Sequence, residues 1–339
     1  MRMLSLFVAL LASTAWSQTP SPETSQPSLA RAHEYLEQGK TAEAFAILQK
    51  LAAIQPPVKG LQHEFGVAYY RTGKLVEAQR AFAEAIQEDP SDVESVQMEG
   101  LSFYRLGQPA AAIPFLERVR QWTPNANADS NYVLGLCYMN SQRYDDARRA
   151  FAMEFKVAPD SASAYILMGN MLMRANLPEL AADQARKALQ ISANLPLAHF
   201  MLGEVYLFKS DVDHATEEFE QELRINPGYA ATYDRLGDVY VRTGKLQEAQ
   251  EALTKAISLD TSSTGPFIQM GKVLLRRQDP QTSIMYLRHA EKMDPGNFIT
   301  HALLAQAYRK VGQEDEAKRE TDLASKIHAD DQLKLQPVN

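Results

Sequence analysis

The chain has 339 residues, 45% hydrophobic and 23% charged, which is enough apolar content to fold and too much for intrinsic disorder. Its formal net charge is −7, so it has no general attraction for nucleic acid or anionic lipid, both of which select basic surfaces. Cys137 is the single cysteine, which excludes an intramolecular disulfide and a thiolate metal cage and predicts a buried thiol.

The chain opens with Met1-Arg2-Met3, an apolar run from Leu4 to Ala12, and then Ala15-Trp16-Ser17 before Gln18. One positive charge, a short apolar run and small residues at the −3 and −1 positions predict a secretory signal peptide over 1–17. The run is about ten residues, half the roughly twenty needed to span a bilayer, so no membrane insertion is expected after cleavage. No cysteine follows the cut, which disfavours a lipid anchor. Cleavage would leave 34 basic against 42 acidic residues, a charge of −8, because the segment carries only Arg2. Residues 18–27, rich in Ser, Thr and Pro, are expected to form a disordered linker. These features predict an exported protein, periplasmic or extracellular, in a bacterium.

Beyond this point the sequence is periodic. Glycine recurs at Gly66, Gly100, Gly135, Gly169, Gly203, Gly237 and Gly271, with spacings of 34, 35, 34, 34, 34 and 34. Alanine follows twelve residues behind the first six, at Ala78, Ala112, Ala147, Ala181, Ala215 and Ala249, with Ala44 ahead of them. Prolines fall on the same grid at Pro56, Pro90, Pro124, Pro159, Pro227 and Pro295. All three series slip by one residue at a single place, between Pro124 and Ala128. A period of this length predicts stacked repeats, which overrides the two or three compact domains that length alone would suggest.

Each unit reads as two helices. From Gln62 to Pro90, the residues Phe65, Gly66 and Tyr69 make one helical stripe, and Ala78, Phe82 and Ala85 make a second. Arg71-Thr72-Gly73-Lys74 separates them. Gly73 is placed to take the left-handed conformation after the first helix, as are Gly39, Gly107, Gly244 and Gly312. Pro109, Pro178 and Pro280 fall at the first position of the second helix, where a missing N–H costs nothing. The closing prolines end it, since the residue before a proline is pushed out of the helical region. The units run 25–58, 59–92, 93–127, 128–161, 162–195, 196–229, 230–263, 264–297 and 298–331, making a solenoid over 28–331 with a tail over 332–339. Pro114 falls inside a second helix and is expected to bend it. Together with the one-residue insertion, it predicts a local break between units three and four.

The order Phe65, Gly66, Tyr69, Ala78, Phe82, Ala85, Pro90, repeated as Tyr233, Leu236, Gly237, Tyr240, Ala249, Leu253, Ala256, resembles the tetratricopeptide repeat family. The resemblance covers nearly the whole mature chain. It implies an all-α, right-handed superhelical α-solenoid of about nine helix-turn-helix repeats. The small residues then let paired helices approach, and a bulkier side chain would overpack the seam by roughly 1–3 kcal/mol. No unit buries its apolar stripe alone, so the stack is the stable entity. The last unit, with Ala305 in place of glycine and Asp322, Lys326, Asp330 and Asp331 on its second helix, reads as a polar cap.

Little in the chain points to catalysis. A glycine-rich phosphate loop, GxSxG, HExxH and CxxC are all absent from the sequence, so no enzyme activity, cofactor or metal is expected. The seven histidines, His33, His63, His199, His214, His289, His301 and His328, show no metal-ligand spacing and read as surface or packing residues. The acidic pairs Asp145-Asp146 and Glu217-Glu218 stand at starts of second helices and read as solvated.

The family resemblance places the second, fifth, ninth, twelfth and thirteenth residues of each unit on an inner, concave face. In the middle units these include Tyr132, Leu136, Met139, Ile166, Asn170, Met173, Phe200, Glu204, Leu207 and Phe208. Large apolar groups on such a face would form a binding tract for a protein or peptide; packing against neighbouring helices is the competing account. The thirteenth position carries Arg71, Arg105, Arg174, Arg242, Arg276 and Lys310, interrupted by Asn140 and Phe208. Favourable interaction of a cation with a helix C-terminus, roughly 0.3–1 kcal/mol each, accounts for most of that column. A basic rail for acidic partner groups is the sharper reading. The lysine of the carboxylate clamp found in some relatives is missing: the fifth positions include His63, Gln97, Tyr132, Ile166, Phe200, Asp234, Ile268 and Ala302. The sequence thus predicts an exported scaffold or adaptor that binds a protein or peptide in its groove, or alternatively a structural element that oligomerises by stacking its end units.

Overall fold

A computed structural model describes residues 28–123 and 128–335. The expected signal peptide, the linker, most of the insertion (124–127) and the last four residues lie outside the described residues. What is described is all helical apart from turns and forms nine hairpins. The first three are α1 (Leu29–Glu37) with α2 (Thr41–Ala52), α3 (Leu61–Arg71) with α4 (Leu75–Glu88), and α5 (Val93–Arg105) with α6 (Pro109–Trp122). Then come α7 (Ala128–Asn140) and α8 (Tyr144–Glu154), α9 (Ala162–Arg174) and α10 (Pro178–Ile191), and α11 (Ala198–Phe208) and α12 (Val212–Ile225). The last three pair α13 (Ala230–Thr243) with α14 (Leu246–Leu259), α15 (Gly265–Arg276) with α16 (Pro280–Met293), and α17 (Phe298–Lys310) with α18 (Glu314–Leu335).

One turn closes all nine hairpins. The residue two places before each second helix is left-handed: Gly39, Gly73, Gly107, Gly244 and Gly312 as expected, with φ from 73° to 78°. The same conformation is imposed on Gln142, Asn176, Ser210 and Gln278, at φ 59° to 62°. In every turn the next amide donates to the carbonyl five residues back, from Lys40 to Tyr35 through Gln313 to Tyr308, at 2.8 to 3.0 Å. This is the Schellman arrangement, which satisfies carbonyls that the helix end leaves open. Pro109, Pro178 and Pro280 each start their helix. At the other end, Asp89, Asn226 and Asp294 leave the helical region before their prolines, yet Ser192 and Asp260 do the same with no proline after them. The repeat geometry itself sets that exit.

The close approach within a pair is fixed by glycine against a large residue sixteen places on. A Cβ built on Gly66, Gly135 or Gly203 would lie 2.5 Å from the ring of Phe82, Phe151 or Phe219. On Gly100, Gly237 and Gly271 it would come within 2.9, 2.6 and 2.5 Å of Leu116, Leu253 and Leu287. The fifth pair differs, because the residue sixteen beyond Gly169 is Ala185. Met201 from the next pair's first helix fills the gap instead, its Sδ 2.3 Å from where that Cβ would be. The alanines from Ala44 to Ala249 are all fully buried, and Ser283 takes their place in the eighth pair with its hydroxyl donating to the Gly271 carbonyl at 2.8 Å.

The chain divides into two compact units between Ser130 and Asn131, beside the one-residue slip. The first holds three hairpins, with α3 packed on both α1 and α5. In the second, α9 to α18 pack each on the next in order, and the first helices α9 and α11, α13 and α15, and α15 and α17 also meet. The helix α6 is continuous through Pro114. Residues 332–335 belong to α18, which continues past the expected unit end because no helix breaker occurs before Pro337. Cys137 is buried as expected, and desolvation pushes its thiol up to about 12. Among the described residues no helix is long and apolar enough to cross a membrane.

Gly203→Ala should destabilise by about 1–3 kcal/mol in chemical denaturation, since the fully buried Phe219 ring leaves no room for the added Cβ. Gly169→Ala should cost less than half of that, because the facing atoms are the flexible end of a methionine. Ser210→Gly and Gln278→Gly should each raise stability by up to about 1 kcal/mol by removing a Cβ from the left-handed region.

Candidate protein-binding surface

The inner-face positions are split by the structure. On α7, Tyr132 is half-buried with its ring 5.6 Å from Phe151, and Leu136 and Met139 are also half-buried. On α9, Ile166 is only 7% exposed, which corrects its place in the expected tract: it belongs to the core. Asn170 is exposed and Met173 half-buried. On α11, Phe200 is half-buried between Phe219 and Tyr229, with ring centroids at 5.7 and 5.2 Å, so much of its surface serves packing. Leu207 is half-buried, and Phe208 is 60% exposed at the helix end. Glu204 is not free, since Arg235 Nε donates to it at 2.6 Å.

The cationic column is likewise divided. Arg71 donates to the Leu36 carbonyl and, at 2.8 Å, to Glu37. Arg105 reaches the Tyr70 carbonyl at 3.3 Å with its guanidinium 4.6 Å from the Tyr70 ring centroid, and Arg276 reaches Val241 at 2.7 Å. In all three the acceptor lies 35 residues back, in the last turn of the preceding repeat's first helix. A guanidinium from one repeat thus caps the open carbonyls of its predecessor, where the dipole also favours positive charge. Arg242 pairs with Asp238 on its own helix at 2.8 Å. Arg174 and Lys310 make no hydrogen bond or ion pair with any described residue.

Several polar residues that looked idle have structural partners. Glu218, expected to be solvated, bonds His199 Nδ1 at 2.6 Å. His63 Nδ1 lies 2.8 Å from Ser95 Oγ and 3.2 Å from Asp92 Oδ2, while His33 pairs with Glu64 at 3.1 Å. The buried carboxylate of Glu222 accepts from the Leu197 amide at 2.9 and 3.0 Å and from Phe200 at 3.3 Å, capping α11. Leu197 there holds φ 74°, a conformation a leucine rarely adopts, and the carboxylate secures it.

One buried carboxyl has no such partner. Glu99 on α5 is 3% exposed and its Oε2 has no hydrogen bond. It stands where the later repeats have Leu134, Met168, Leu202, Leu236, Met270 and Leu304, so the repeat alignment alone marks it as out of place. Desolvation pushes it up to about 7.

In comparison with known proteins, residues 35–98 and 103–171 match the family described as "Tetratricopeptide repeat", and residues 139–273 match a "Tetratricopeptide repeat-like domain". The fold defines an all-α repeat solenoid, and the chain is a tetratricopeptide-repeat protein. Among solved structures it is similar to a chain of the APC/C hetero-tetramer Cut9–Hcn1, at 18% identity and TM-score 0.45, over 82% of this chain and 55% of that one. It is also similar to YrrB, described as a TPR protein with an unusual peptide-binding site, at 24% identity and TM-score 0.45 over 56% of this chain and 97% of that one. MamA from Desulfovibrio magneticus RS-1 is similar at 16% identity and TM-score 0.46, over 50% of this chain and 97% of that one. No curated protein gives a significant match.

Glu99 bears on stability in one direction. Its acid form is favoured in the folded state, so the penalty is absent below the ordinary glutamate range near about 4.3 and grows as pH rises to about 7. Glu99→Leu should therefore stabilise the first compact unit by about 1–3 kcal/mol at pH 8 and little at pH 4, and flatten the pH dependence measured by urea denaturation.

Proposed function

We propose that the chain is an exported, non-catalytic scaffold that holds a protein or peptide segment against the inner face of α7, α9 and α11. The observation that carries this reading is Phe208. A large aromatic residue stands 60% exposed at a column position otherwise occupied mainly by cations, beside half-buried Leu207. Leu136, Met139, Met173 and part of Phe200 extend the apolar surface along the neighbouring first helices, and Asn170 offers an amide within it. Export rests on the N-terminal sequence. The absence of a catalytic role rests on the chain being taken up by repeats.

Of the six cations in the column, Arg174 is the one that lies within this apolar stretch without a partner among the described residues, next in order to Asn140 and Phe208. It suits an acidic group on a segment whose neighbouring side chains are apolar. The caps Arg71, Arg105 and Arg276 already serve the stack, and Arg242 serves its own helix. The second reading, end-to-end assembly, is favoured by Ile299 and Leu323 of the final pair, 47% and 44% exposed. Light scattering on size-exclusion separates the two, because a monomer at micromolar concentration removes assembly.

For the scaffold, the test is capture from the envelope fraction of the producing cell by immobilised protein. Phe208→Asp and Met173→Asp should each weaken retention of a specific partner at least tenfold, as expected of a central contact worth about 2 kcal/mol or more. Val76→Asp, at an exposed position on α4, should leave it unchanged. Equal retention by all three variants overturns the reading. Arg174→Glu should weaken binding of acidic partners only.

A further inference from the structure

We propose that the last helix is held to the stack by a protonation latch, in which buried His301 binds Glu320 as an imidazolium and lets go when it is neutral. His301 on α17 is 3% exposed and Glu320 on α18 is 4% exposed. His301 Nδ1 lies 2.6 Å from Glu320 Oε2, and its Nε2 lies 2.9 Å from the Pro295 carbonyl oxygen. Both of those oxygens accept hydrogen bonds and neither donates. A neutral imidazole has only one N–H, so the arrangement is satisfied only with both nitrogens protonated.

The surroundings are set for that charge. From α16, Arg288 Nη1 sits 3.1 Å from the other oxygen of Glu320 and 2.6 Å from Glu291, and its Nε donates to the Tyr308 hydroxyl oxygen at 2.9 Å. In the connecting loop, Asp294 is engaged by the Gly296 amide at 3.1 Å. On α18, Glu316 pairs with Arg319 at 3.2 Å. On α15, also packed against α17, Arg276 and Arg277 turn to Val241 and Gln247, and Lys272 pairs with none of these groups. Glu291, His301 and Glu320 do bring ligand atoms within 4.8 Å of one another, as a metal site would. The guanidinium of Arg288 already bridges the two carboxylates, and the ring has no free lone pair to offer. An internal cation occupies the role a metal would take.

Burial alone lowers the ring's affinity for its proton, but the bonds to Glu320 and Pro295 and the charges of Glu320 and Glu291 outweigh it, and the net shift is upward. The stabilisation is therefore complete below the ordinary imidazole value of about 6.5 and is lost as pH rises through the elevated one. Loss of either proton turns a lone pair toward an oxygen. The contact of α18 with Leu304 and Tyr308, made through Ala317, then loosens. The pair His199–Glu218 has the same separation of 19 residues and provides an internal comparison with one nitrogen engaged in place of two.

Hydrogen exchange on the full chain, corrected for intrinsic rates, tests the latch between about pH 5.5 and 9. Protection of α18 should fall with rising pH, by about tenfold for each pH unit by which the folded value exceeds the unfolded one, while α13 and α14 stay level. Nitrogen NMR should find both ring nitrogens of His301 protonated at pH 6. His301→Gln should flatten the profile, and Glu320→Gln should move the loss of protection to lower pH. A singly protonated ring at pH 6, an α18 profile independent of pH, or an unchanged slope in His301→Gln overturns the proposal. So does a gain in α18 protection on adding zinc over that with a chelator, which would make the cluster a metal site.

Discussion

The stack depends on how closely two short helices meet at glycine. In six pairs a phenylalanine or leucine sixteen residues further on lies where a Cβ would stand, so the first helix carries the space and the second carries the bulk. That contact sets the interaxial distance, and the buried alanines on the second helix carry it to the next pair. The fifth pair keeps the glycine and loses the bulk, and it borrows Met201 from its neighbour. The space beside the glycine is filled even where the residue that fills it comes from elsewhere, as close packing requires.

Short helices leave many open backbone groups for their length, and the chain meets them with devices that recur at the repeat period. The left-handed turn closes the first helix from within, and arginines of the following repeat close it from outside. At the other end of a first helix, Asp92 caps α5 through two amides and Glu222 caps α11 through two. Most of the charge that looked available for a partner is consumed this way. Of the residues expected on an inner face, Phe208 and Arg174 remain exposed and make no hydrogen bond or ion pair among the described residues.

Among the buried ionisable groups, Glu99 and His301 have different fates because their partners differ. Glu99 meets no counter-charge and is driven toward its acid form, so burial costs stability as pH rises. His301 meets a carboxylate, a carbonyl and a nearby arginine-bridged acid, so it is held as a cation in the same kind of low-dielectric setting. Desolvation is common to both. The presence of specific acceptors decides which protonation state the fold selects.

The sequence by itself determined the fold class, the repeat count, the hairpin turns with glycine and the helix starts at proline, because each of these follows from backbone conformations that only particular residue types adopt. The repeat alignment also contains a signal for Glu99, an acidic residue in a column of leucine and methionine, but only its burial in the structure brought that out. Only the tertiary structure decided which polar residues were already spoken for. Arg71 and Leu36, His199 and Glu218, and His301 and Glu320 lie 35, 19 and 19 residues apart. Whether such pairs touch depends on rotamers and on the offset between helices, which a one-dimensional period does not encode. The same holds for Ile166 and Phe208, two residues at inner-face positions of which one is core and the other surface: exposure is fixed by what the neighbouring repeats place above each side chain.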